Sequence, residues 1–469
     1  MNNLVFIPVV TYVVLVIILL LREVRIQKAY GRIRTSRESA LGRYSFGAIV
    51  IAMTLAASNL GPADTMGLSE EGAKYGFFFL MFPLLAGLQH IIAGKFFAQK
   101  IALQSENCLT MGDKMGDSVS KPTRVIVGIV TVLQTLAFTG ILTLAGGKIL
   151  TAVFGLPLII GIMVTAIFVA TYAYAGGMNA IISTDILQFF IVVLVAIFSV
   201  LGAMFLLMRN WGSVDPNCFW RPDGGDFTVK AMLNLAVAYF LGEAFLPMYT
   251  IRTFISKKPK DASKAFMSFG VIIIVYYAIM IFVGISSNLL TDESSISDIA
   301  IVNVLSSLTS VPWLKWIFAG CAFAALLGLT HSTLDSVLNA GATSLVKDVL
   351  DPFFQFSDSQ LERQIRGSLV LIAIFGTLFS LVSDNLIEIL LIGYTIWVPT
   401  IVFPFAYIIL KSNKVYSNKS AFWGILGGIL GYLIGEYLLS DLWIPSILTG
   451  FLMNAGFFLI NEFRASRRN

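Results

Sequence analysis

AASNLGPADTMG, residues 56–67, sits where an apolar helix should simply continue. Its Gly61-Pro62 pair interrupts a run long enough to cross a bilayer, and an acid, Asp64, follows at once. Placing an ionised side chain near the bilayer centre costs at least about 2.5–3.5 kcal/mol. The interruption therefore asks for a purpose.

The surrounding chain fixes the context. Of 469 residues, 57% are hydrophobic and 13% charged, where a soluble protein carries about 25% charged residues. Apolar runs of about 18–25 residues recur along the whole length, each sufficient for a transmembrane helix. Thirteen spans are expected, at about 4–21, 45–67, 76–97, 125–145, 156–174, 180–208, 231–250, 265–290, 313–337, 367–382, 386–410, 421–439 and 442–460. No gap leaves room for a sizeable soluble domain, so residues 1–469 read as one all-α integral membrane domain. The first run lacks a basic n-region and a small-residue cleavage site, so it is read as a retained span. REVRIQKAYGRIRTSRESALGR follows it and places that side in the cytoplasm. The N-terminus is expected outside and the C-terminus, with its basic tail NEFRASRRN, inside. The net charge of +5 arises mainly from such loops and argues orientation, not nucleic-acid binding. Cys108 and Cys218 fall on opposite sides of the membrane and Cys321 within a span, which speaks against a disulfide or a metal cluster.

Five spans after the first interruption comes a second, AYFLGEAFLPMYT, with Gly242 and Pro247. Interruptions in corresponding spans of two halves point to a transporter's binding site, and an odd offset runs the second copy upside down. Gly and Pro are also simply frequent in membrane helices, but the pair falls in register. Acids expected within spans are Asp64, Asp185, Glu243, Asp335 and Glu388, with no Lys or Arg in mid-span. Their expected partner is a mobile cation. In LLGLTHSTLDSVLNAGATS, Ser332, Asp335 and Ser336 share a helix face beside Thr333. Such oxygens suit a hard cation; equally, small hydroxyl residues are common at membrane helix contacts.

Several segments resemble the sodium/solute symporter family. They are GLTHSTLDSVLNAGATSLVKD (328–348), YAGGMNAIISTDILQFF (174–190), IRTFISKKPKDASKA (251–265) and GYTIWVPTIVFPFAYIIL (393–410). The resemblance implies a LeuT-like core of two inverted five-helix repeats, at about 45–208 and 231–410. An extra N-terminal span (4–21) precedes it, and two C-terminal spans (421–460) follow. It implies sodium as the co-transported ion, held by the carbonyls of Ala57, Leu60 and Leu329 and the hydroxyls of Ser332 and Thr333. A possible second sodium falls at Asp185, Asp335 and Ser336, although Asp335 stands where two-sodium members have a serine. By the same resemblance Asn59, Gly61, Asp64, Thr65, Phe82, Gln134, Glu243, Leu246, Met248, Tyr394 and Trp397 are candidate solute contacts.

The chain departs from sugar carriers, with Pro83 and Leu246 at polar cavity positions. It also lacks, in VGIVTVLQTLAFTGIL (127–142), the arginine that sialic-acid carriers use. Asp64, Glu243 and nearby aromatics favour an amine-bearing or zwitterionic solute, such as an amino acid or quaternary amine. His331 and His90 leave proton coupling as an alternative, and a membrane-embedded solute sensor is another. No nucleophile–base pair supports an enzyme. The partners expected are a small solute, sodium and the lipid bilayer, and short loops with the family resemblance suggest a bacterial inner membrane. Oligomeric state has no signature in the sequence.

Overall fold

The computed structural model describes residues 2–29, 46–104, 108–213, 215–225, 227–290, 297, 299–411 and 416–467. Helix dominates, and the β pairing among the described residues is two isolated bridges, Phe46 to Ser256 and Gly76 to Trp220.

Eleven helices among the described residues are long and apolar enough to cross a membrane: α1 (Asn3–Ile26), α4 (Phe79–Gln104), α6 (Lys121–Phe154), α7 (Leu158–Ala175), α8 (Ala180–Arg209), α11 (Pro259–Ser287), α13 (Pro312–Phe354), α14 (Asp358–Leu381), α15 (Leu386–Leu410), α16 (Ser420–Leu438) and α17 (Ser446–Ser466). Helical hydrogen bonding runs unbroken from Leu158 to Arg209. Two shorter pairs are broken helices: α2 (Ala48–Asn59) with α3 (Leu68–Tyr75), and α9 (Val229–Leu241) with α10 (Pro247–Phe254). Between the spans lie the short α5 (Met111–Ser118) and α12 (Ala300–Ser306).

Pro62 and Pro247 explain the breaks. Proline has no N–H to continue the i→i−4 ladder, and its ring crowds the preceding turn. The chain leaves α2 at Leu60 with φ −68° and ψ 57°, outside helical values. It re-enters through a wide turn, Ala63–Gly67, before α3. In the second copy Leu246 is extended, at φ −57° and ψ 143°, and Pro247 opens α10, a position where its missing N–H costs nothing.

Burial orders the helices. In α13, 83% of the apolar window is buried, against 22% in α1, so α13 is the central post and α1 lies at the periphery. Helix α13 packs on α6, α7–α8, α14 and α1, whereas α11 packs on α2, α3 and α4. The α3–α11 contact is backbone to backbone. A Cβ at Gly284 would stand 1.9 Å from the Ser69 carbonyl oxygen, and one at Gly72 would stand 2.6 Å from that of Ile281. Neither oxygen is a flexible side-chain end, so a substituent must push the helices apart. Gly284→Leu is expected to lower stability by about 3 kcal/mol or more, above the usual 1–3 kcal/mol for overpacking. Thermal unfolding of the purified protein checks this, and an unchanged midpoint would contradict so tight an approach.

Glu388, read from the sequence as a mid-span acid, is instead in the first turn of α15. It is exposed, accepts from the Ser383 hydroxyl at 2.6 Å, and the helix is capped by Asn385. A carboxylate there is favoured by the helix dipole and needs no cation.

Candidate ion and solute site

The break in α2 rearranges its last carbonyls. In a continuous helix the Gly61 N–H would bond to Ala57; here it bonds to the Asn59 carbonyl at 2.5 Å. The freed Ala57 carbonyl instead accepts from the Ser332 hydroxyl at 2.5 Å. Ser332 also reaches the Leu329 carbonyl at 3.1 Å, and Thr333 Oγ1 donates to the same oxygen at 2.9 Å. A Cβ built on Gly61 would lie 3.3 Å from Thr333 Oγ1, so the turn holding Leu60 abuts α13 at this point. Four of the five predicted sodium ligands thus meet in one hydrogen-bonded cluster, with Leu60 at the adjoining helix end. All are neutral oxygens, the hard donors a small alkali cation prefers over nitrogen or sulfur. Rotation of two hydroxyl protons turns their lone pairs inward.

Asp185, Asp335 and Ser336 also come together, around a cation, Arg252, that lies just past the expected span 231–250. Arg252 is 1% exposed and its Nη2 lies 3.3 Å from Asp185 Oδ2, 2.8 Å from Ser336 Oγ and 2.7 Å from Ser58 Oγ. Ser336 donates to Asp335 Oδ1 at 3.2 Å and Tyr172 donates to Oδ2 at 2.7 Å. The expectation that no Lys or Arg stands in mid-span is therefore corrected. Helix α10 continues to Phe254, which carries Arg252 inward with it.

On the far side of the break is a closed cavity of about 20 Å³, room for about one water. Asn59, Gly61, Asp64, Glu243, Met248 and Tyr394 line it from the predicted set. The Asn59 amide donates to Glu243 Oε1 and to Tyr249 Oη, and its oxygen accepts from Tyr277. Tyr239 and Tyr277 hydroxyls face the Asp64 carboxylate. Tyr239, Tyr249 and Tyr277 were not singled out in the sequence, because a tyrosine in an apolar run reads as packing. Phe138, Ile141, Leu142 and Leu390 supply apolar wall.

Thr65, Phe82, Gln134, Leu246 and Trp397 are buried but lie outside the lining. Thr65 turns back to the Gly61 carbonyl at 2.9 Å and meets Tyr276. The Phe82 ring packs edge-on against Phe78 and Phe79. Leu246 is held in the α9–α10 connection. His331 Nδ1 lies 3.0 Å from the hydroxyl of Tyr12 on α1, and its ring packs against Phe168. His90 sits against Tyr249, Phe266 and Phe269.

The two ends of α6 differ. Near its start Arg124 pairs with Asp113 on α5 and, at 3.6 Å, with Asp348 of α13. Burial pushes the Asp113 carboxyl up, opposed by the Arg124 charge. Residue 148 is about 36 Å away along the helix. There a vestibule of about 920 Å³ opens, lined by Ser69, Glu70, Lys148 and Asn303 among others.

Two broken helices, the first with carbonyls and hydroxyls gathered at its gap, beside a closed cavity that holds two acids, fit a membrane carrier of the LeuT-like fold. The sequence profile of the Sodium:solute symporter family matches residues 40–428; the chain belongs to that family. It is 24% identical over 397 residues to the sodium/pantothenate symporter of Escherichia coli, covering 81% of this chain and 79% of that one. To the sodium/glucose cotransporter of Vibrio parahaemolyticus it is 23% identical, covering 64% of this chain and 60% of the relative. Among solved structures, an outward-open, sialic-acid-carrying Na+-coupled symporter superposes with a TM-score of 0.76 at 15% identity, covering 99% of this chain and 98% of that one. Mhp1 in an inward-facing form superposes with a TM-score of 0.60 at 14% identity, covering 92% and 93%.

Proposed function

We propose that this protein is a sodium-coupled symporter that imports a small amine-bearing or zwitterionic solute by alternating access, in a bacterial inner membrane. The observation that carries the solute class is the cavity's charge. Asp64 and Glu243 line one closed space walled by tyrosines, and among the described residues neither acid has an ion-pair partner. Carboxylates and aromatic faces together recognise ammonium groups. An anionic solute would meet like charge, with no guanidinium or ammonium among the described residues of the lining to offset it.

Sodium at Ala57, Leu60, Leu329, Ser332 and Thr333 would tie α2 to α13 directly behind the solute. That shared position supports coupling, because an ion closing this gap also sets the walls of the cavity. A cavity of about 20 Å³ is too small for a solute, so loading belongs to a more open state reached from the vestibule. In the orientation read from loop charges, that vestibule faces outside.

Asp64→Asn is expected to abolish uptake of the amine solute, at least about 100-fold, while sodium-dependent thermal stabilisation persists. Proteoliposomes under an imposed sodium gradient, screened with amino acids and quaternary amines, give the first readout. Melting curves in sodium against potassium give the second. Loss of sodium stabilisation with unchanged solute affinity would sink the assignment of Asp64 to the solute.

A further inference from the structure

The cavity has more acid than its surroundings balance. Glu243 is 3% exposed and Asp64 9%, and among the described residues Glu243 Oε2 has no hydrogen-bond partner. Its other oxygen takes Asn59 and, at 3.4 Å, Tyr249. Among the described residues, the groups that the surrounding elements turn to the pair are neutral. Helix α9 brings Tyr239 and α11 brings Tyr277, with Tyr276 beside it on Thr65. Helix α15 brings Tyr394 and α13 brings Thr333. From α4, Gln89 is committed to the Ala244 N–H at 2.7 Å, and His90 lies behind the Tyr249 ring with its Nδ1 2.9 Å from the Ala86 carbonyl. The charged residue of α10, Arg252, directs its donors to Asp185, Ser58, Ser336 and the Met248 carbonyl, away from the pair. Two carboxylates sharing a closed, low-dielectric space do not both stay ionised without a cation.

We propose that Asp64 and Glu243 hold one proton between them when no solute is bound, and that an arriving ammonium group takes its place. The inference rests on the amine reading above. The proton leaves to water on the side from which the solute enters, and the empty pair takes another from the opposite side after release. Each solute carried inward therefore returns one proton outward, and the cavity keeps the same charge through the cycle. The pair titrates as a unit, so the proton belongs to neither acid alone.

Infrared difference spectroscopy on the lipid-reconstituted protein in sodium buffer reads the C=O stretch of protonated carboxyls directly. Wild type is compared with Asp64→Asn, Glu243→Gln and the double variant Asp64→Asn/Glu243→Gln, each first shown to keep its sodium-dependent melting. A protonated-carboxyl band is expected in wild type, is expected to shift in each single variant as the proton settles on the remaining buried acid, and is expected to be lost in the double variant. Choline and methylammonium, used as probes, are expected to bleach it in wild type. A band that stays unshifted in both single variants, or that survives in the double variant, belongs to other acids and overturns the proposal. A probe that stabilises the carrier without bleaching the band overturns the exchange and leaves the amine reading standing. A band that is lost in the double variant while neither probe stabilises the carrier keeps the shared proton and removes the amine reading.

Discussion

Ser332→Ala/Thr333→Ala is expected to erase the sodium-specific rise in melting temperature of the purified protein, and with it sodium-driven uptake. The wild type should melt higher in sodium than in potassium or choline. Linkage gives about 2.7 kcal/mol of stabilisation when sodium stands a hundredfold above its dissociation constant. Removing two of five oxygens takes most of that away. The two hydroxyls are not equivalent. Ser332 bridges helices, from its own turn to the Ala57 carbonyl, whereas Thr333 bonds only the Leu329 carbonyl of its own helix. Ser332→Ala therefore also strands a buried carbonyl, a loss of about 1–3 kcal/mol, and should destabilise the protein in potassium too. Thr333→Ala should affect the sodium increment alone. A wild type that melts identically in sodium and potassium would remove the ion from this gap. A double variant that keeps the sodium increment would place the ion elsewhere.

The difference between those two hydroxyls marks how far the sequence could be read. Both breaks were legible, because Pro62 and Pro247 act through the backbone and proline's missing N–H has the same consequence in any fold. The residues flanking the first break, and the Ser332–Thr333 pair, followed from motif resemblance and meet in the structure. What resemblance does not carry is helix rotation. Phe82, Gln134 and Trp397 stand on the expected helices but lie outside the cavity lining, since a few tens of degrees decide which face looks inward, and Leu246 is held in the α9–α10 connection. Tyr249 and Tyr277 went unnoticed for the converse reason. Their role is visible only once Asn59 is seen to bond both, across separations of 190 and 218 residues. Glu388 falls inside the expected span 386–410, but that span begins at the Asn385 cap, which leaves the acid in the first turn of the helix and not at its middle.

Arg252 is the largest miss, and it yields the other large expected effect. IRTFISKKPKDASKA reads as a basic loop because its first cation precedes four lysines. Yet Pro247 restarts the helix, and a helix begun there keeps residue 252 inside. Its guanidinium sits among Asp185, Ser58 and Ser336, where the resemblance allows a second sodium. Arg252→Met should cost about 3–5 kcal/mol, the usual result of leaving one member of a buried ion pair uncompensated. Arg252→Met/Asp185→Asn should recover most of that loss, because the orphaned charge goes with its partner. The single variant should also become more sodium-dependent than wild type. With the guanidinium gone, Asp185, Asp335 and Ser336 present oxygens and net negative charge to any small cation that enters. Wild type carries its own cation there, tethered on α10, so its sodium response should fit one ion. An Arg252→Met protein as stable as wild type in potassium would mean the pair contributes nothing. A wild type binding two sodium ions would mean the guanidinium leaves this place during transport. Melting curves across sodium and potassium for the three proteins separate these outcomes, since only an internal cation makes the loss of Arg252 reparable both by deleting Asp185 and by adding salt of one particular ion.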